Sequence, residues 1–135
     1  MGLLTELFVA ADADAKTYDH TSAARFKSVK LGGLTNLEFE TLWAILAKQE
    51  WSPDTHALGD VASSDSTWTF KFPRAYIDTF RAVDARAISE AAKSWAATEE
   101  LSCDPADIEP VIEQLVSLAR SLDERNASLF VWTSL

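Results

Sequence analysis

Residues 128–135 read Ser-Leu-Phe-Val-Trp-Thr-Ser-Leu, an extended stretch apolar on both sides. Leu129, Val131 and Thr133 fall on one side of an extended chain, Phe130 and Trp132 on the other. Chain ends fray unless a sheet holds them. A strand apolar on both sides at this position is therefore expected inside a sheet, with neighbours on both edges. Trimming Trp132 to Leu135 should then be severely destabilising.

Working back from that strand, Asp123 to Asn126 is a polar stop, and a long amphipathic helix precedes it. Ile108, Val111, Ile112, Leu115, Leu118, Ala119 and Leu122 form its apolar stripe. Pro110 loses a backbone bond inside a helix, so the helix is expected to start near Asp107, with Asp104 to Ala106 as a cap or short turn. Asp84 caps an earlier helix reaching to about Glu100, with Ile88, Ala91, Ala92 and Trp95 inward. Thr67 to Phe72 alternates as a strand, and Pro73 then opens a helix through Phe80.

The N-terminal half has the same ingredients. Leu3 to Val9 reads as a strand on which Glu6 is the oddity, a carboxylate between Leu4 and Phe8 that needs a partner or an edge. A short helix over Asp12 to Asp19 follows, capped by Asp12, then a loop from His20 to Ala24. Phe26 to Leu31 is a second strand, whose Lys27 and Lys30 suit an exposed sheet edge. Gly32-Gly33 ends it. Thr35-Asn36-Leu37-Glu38 is a capping box that opens a helix to about Glu50, with Phe39, Leu42, Trp43 and Leu46 on one face. Trp51 to Ser66 has no clear period and reads as a long loop.

About four strands and four or five helices result. Short connections favour antiparallel neighbours and the long helical returns permit a parallel pair. The fold class is thus α+β, one mixed or mainly antiparallel sheet packed with helices, in a single globular domain over residues 1–135.

Charge narrows the function. Lys plus Arg number 12 and Asp plus Glu 21, a formal net charge of −9. Nucleic acid and anionic membrane surfaces both want a basic face, so neither is an expected partner. No apolar run approaches the ~20 residues of a membrane span, and the N-terminus lacks the basic start of a signal peptide. The expected location is cytoplasmic. Cys103 is the one cysteine, and the acids beside it, Asp104 and Asp107, oppose a reactive thiolate. His20 and His56 lie far apart in loop-like segments and are expected to be exposed rather than metal ligands. No motif for a nucleophilic serine, a phosphate loop or a dinucleotide occurs. No cofactor or metal is expected, and a binding protein is expected rather than an enzyme.

Acidic side chains are the richest remaining material. Glu99, Glu100, Asp104, Asp107, Glu109 and Glu113 occur with no Lys or Arg between them. Several suit helix starts, but Glu99 and Glu100 would sit at a helix end, where the dipole disfavours acids. They form the candidate surface for a basic protein partner, of the kind an inhibitor or immunity-type factor neutralises. The alternative is a small-molecule-binding domain or minor enzyme with its site under the 51–66 loop, using Glu38, Glu40, Trp51, Asp54 and His56. A monomer or a small homo-oligomer fits either reading.

Overall fold

The computed structural model describes residues 4–18, 27–99, 101–122 and 127–134. Its elements, in chain order, are β1 (Leu4–Ala10), α1 (Asp12–Ala15), β2 (Lys27–Gly32), α2 (Asn36–Ala47), α3 (Pro53–His56), β3 (Gly59–Ser63), β4 (Thr67–Lys71), α4 (Arg74–Ala82), α5 (Ala85–Ala96), α6 (Pro105–Arg120) and β5 (Ser128–Ser134). All five strands form one sheet in the order β2-β1-β5-β4-β3, and every neighbouring pair is antiparallel. The fold is α+β. The C-terminal strand takes the centre, as its two apolar sides require. Val131 pairs with Leu7 on one flank and with Phe70 on the other.

One face of the sheet carries Leu7, Leu129 and Val131 into the main core. Helices α2, α4, α5 and α6 cover that face, because each presents an apolar stripe toward it. Two buried aromatic donors pin the start of α2. Trp95 Nε1 donates to the Glu38 carbonyl at 2.9 Å, and Tyr76 Oη donates to the Phe39 carbonyl at 2.5 Å. Arginines close the far end of the helical layer. Arg81 donates to the Ala119 and Leu122 carbonyls at the end of α6, and Arg120 donates to Val83 O.

The other face carries a smaller core of Phe8, Ala10, Ala15, Tyr18, Phe130 and Trp132. Tyr18 stacks on Phe8 at 3.8 Å, and its hydroxyl donates to Glu6 Oε1 at 2.6 Å. Glu6 is only 2% exposed, so the oddity on β1 is resolved by a partner and not by an edge position. The strand expected to be edge-protecting, β2, is an edge, and Lys30 is exposed there.

Several boundaries differ from expectation. α1 stops at Ala15, and its cap position is Ala11, with no side-chain cap. Asp12 pairs instead with Lys71 at 2.9 Å, a contact 59 residues away that local sequence does not reveal. α6 starts at Pro105, not near Asp107, with Asp104 capping Ala106 N at 2.9 Å. Pro110 is tolerated inside it because the carbonyl it orphans, that of Ala106, belongs to an exposed residue that water can serve. The 51–66 segment is not a loop: it holds α3 and β3, which raises the strand count to five. The His20 to Ala24 loop, Asp123 to Asn126, and the outer ends of the first and last strands at Leu3 and Leu135 lie outside the described residues.

α2 ends at Ala47 rather than near Glu50, in a left-handed cap at Lys48 (φ 56, ψ 46). A side chain is strained there, and glycine is not. Lys48→Gly should therefore stabilise the fold by about 0.5–1 kcal/mol, seen as a higher urea midpoint at unchanged slope. A lowered midpoint would refute the strain argument.

Candidate functional site

The acidic candidates cluster around the α5–α6 turn. α5 ends at Ala96 with Ala97 as its C-cap, so Glu99 stands two residues beyond the cap, in a turn closed by Leu101 N and Ser102 N donating to the Thr98 carbonyl. The expectation that Glu99 opposes the dipole from within the last helical turn is therefore corrected: it is exposed just past the helix. Glu100 lies outside the described residues. Ser102 adopts φ 42, which turns the chain sharply before Asp104 caps α6.

From that cap, helical spacing sets the acids on the outside. Ile108, Ile112, Leu115 and Val116 point inward, which leaves Asp107 and Glu113 exposed and Glu109 partly so. Asp104 has a structural duty and Asp107 suits a first turn. Glu109 and Glu113 have no such excuse. They are an i,i+4 pair of like charge, an arrangement that costs a helix about 0.2–0.5 kcal/mol. Glu99, Asp107, Glu109 and Glu113 form no ion pair among the described residues, whereas Asp12, Asp78 and Glu90 are each matched to a Lys or Arg.

The second set behaves differently. Glu38 closes the capping box with Thr35, receiving the Thr35 backbone N–H and hydroxyl. Glu40 is buried, and its Oε2 accepts from Asn36 Nδ2 at 2.9 Å and Leu58 N at 3.4 Å. His56 is 1% exposed, which corrects its expected place in an exposed loop. Its Nδ1 accepts the Ser52 N–H and its Nε2 meets Gln49 Oε1, both at 3.0 Å, while its ring lies edge-on to Trp43. An Nδ1 that accepts a backbone N–H leaves a proton on Nε2, so both ring nitrogens are engaged and the imidazole acts as a strut. Glu40 and His56 thus fasten the 51–58 segment to α2. Trp51, 45% exposed, and Asp54 remain on the outside.

Near this fastening, Tyr76 is wholly buried and stacks on Trp43 at 4.8 Å. Burial, and secondarily the charge of Glu40, holds its pKa well above 10.0. Among the described residues no group of three or more His, Cys, Asp or Glu is placed to hold a metal ion, and no buried polar side-chain atom lacks a partner. No described helix is long and apolar enough to cross a membrane.

Sequence reading missed the outer edge of the sheet at β3. A register shift between Asp60 and Ala62 breaks the alternation by which a strand is recognised. Comparison of the chain with protein-family models, with curated proteins and with solved structures found no match.

Proposed function

We propose that this protein is a non-catalytic, acidic interaction module that binds a basic protein, in the manner of an inhibitor or immunity factor. It acts in the cytoplasm, as a monomer or small homo-oligomer, without nucleic acid. The observation that carries the proposal is the set of unmatched, outward carboxylates on the α5–α6 turn and the first half of α6. Asp12, Asp78 and Glu90 are each neutralised by a Lys or Arg, whereas the Glu109–Glu113 repulsion brings the helix no structural return. A cationic partner would convert that cost into attraction, chiefly by speeding encounter and selecting charge. The polar groups of Glu38, Glu40 and His56 are engaged within the fold, which leaves little for a small-molecule site beneath the 51–66 segment.

The test is affinity capture from native lysate with tagged wild-type protein and the triple variant Glu99→Lys, Asp107→Lys, Glu113→Lys. The expected result is one stoichiometric basic protein bound at low salt, released at moderate salt, and absent from the variant. Thermal melting of the variant should stay close to wild type, since all three positions are exposed. An empty capture at both salts, or equal capture by the variant, overturns the proposal.

A further inference from the structure

The two edges of the sheet are built differently. β2 carries the exposed Lys30, the usual protection of an edge against mispairing. β3 reads Gly-Asp-Val-Ala-Ser and has no cation. From Glu50 to Phe70 the chain holds four carboxylates, Glu50, Asp54, Asp60 and Asp65, and neither Lys nor Arg. All four residues are exposed.

The backbone of β3 is available. Among the described residues no strand or backbone group pairs with its outer side. Ser64 N donates to the Thr67 carbonyl at 2.9 Å, which makes 64/67 a hydrogen-bonded pair of the β3–β4 hairpin. By the alternation of antiparallel ladders, Ser63, opposite Trp68, turns its N–H and C=O to the free edge. Beside that edge lies an open pocket of about 490 Å³ formed by Asp60 to Ser63 with Trp68 and Phe70. Trp68 and Phe70 are only partly buried, so the pocket has aromatic sides next to unpaired backbone.

From this we infer that β3 is a docking edge for an extended basic peptide, which adds as a sixth strand. Apolar side chains of the peptide rest on Trp68 and Phe70, and its Lys or Arg side chains answer the acidic charge of this segment. The inference rests on the basic partner proposed above and names the form in which that partner is held. A second copy of this chain is the poorer occupant. Two β3 edges would bring two acidic segments together, on molecules each carrying −9.

The probe is a synthetic octapeptide of alternating Lys and Val, with its Glu-Val counterpart and a backbone N-methylated Lys-Val analogue, titrated into labelled full-length protein by NMR. The Lys-Val peptide should shift the amides of Gly59–Ser63 and the Trp68 indole and slow their hydrogen exchange, while the other two peptides do neither. Ser63→Pro removes only an outward N–H and is tolerable on an edge. It should weaken binding about tenfold, by the loss of a strand hydrogen bond and its geometry. Binding that survives Ser63→Pro and N-methylation, but is lost in the Glu99, Asp107, Glu113 variant, overturns the β3 inference and leaves the proposed function standing. Binding that survives in that triple variant and is lost with Ser63→Pro supports β3 whatever the α5–α6 face does. No binding overturns it, as does a peptide-free dimer with β3 amides already protected.

Discussion

Deletion of Trp132–Leu135 leaves a chain with no cooperative unfolding transition. The deleted segment contains three positions of the central strand, and each is paired twice. Trp132, Thr133 and Ser134 face Glu6, Thr5 and Leu4 on β1, and Thr69, Trp68 and Thr67 on β4. Removing them unzips the central strand from both neighbours over three of its seven positions. Trp132 also closes the smaller core over Tyr18 and Phe130, and losing a buried Trp side chain alone costs about 3–5 kcal/mol. Each ladder bond adds about 1 kcal/mol. Against a total stability of about 5–15 kcal/mol, the sum leaves little or nothing. Urea titration followed by circular dichroism checks this. A sigmoidal transition near the wild-type midpoint would show that the strand is not structurally central. Trp132→Phe, which keeps the ladder and most of the ring contact, should unfold cooperatively at a lower midpoint.

That prediction was legible in the sequence because one local pattern, apolar on both sides, has one structural solution. The same holds for α2, whose capping box is present, and for α5, where Asp84 accepts the Ala87 N–H at 2.8 Å. Failures occurred where distant residues decide. Asp12 resembles a helix cap, but Lys71, next to it across the fold, claims its carboxylate. His56 looks like a loop histidine, and its burial depends on Trp43 of α2 and Gln49 just beyond that helix packing back on it. β3 is disguised by its bulge, so periodicity fails within five residues. Of the candidate sites, sequence alone set the acids of α6 on a solvent face, because helical spacing determines it. The capping box already commits Glu38 to Thr35, but sequence alone did not show that Glu40 and His56 are consumed by internal bonds, since Leu58 N, Ser52 N and Gln49 lie beyond α2.

The aromatic stack around Tyr76 makes stability fall at alkaline pH. Tyr76 lies between Trp43 and Phe80, with ring centroids at 4.8 and 4.5 Å, and donates to the Phe39 carbonyl. Burial first, and the Glu40 charge second, raises its pKa well above 10.0. In the unfolded chain the phenol ionises near its ordinary value of about 10. Above that pH the unfolded state has released a proton that the native state retains. Stability is therefore fully present below about pH 10 and falls as pH rises toward the folded pKa, by about 1.4 kcal/mol per pH unit. Tyr76→Phe keeps the stack and loses one hydrogen bond to a carbonyl that α2 still uses in its own ladder. It should cost about 1 kcal/mol at pH 7. It also removes this group's alkaline slope, so the two stability curves should cross, with the variant the more stable protein near about pH 11.5. Urea midpoints from neutral to alkaline pH measure both curves. Parallel decline of the two would mean that Tyr76 ionises as readily in the fold as outside it, and that the Trp43–Tyr76 contact admits water.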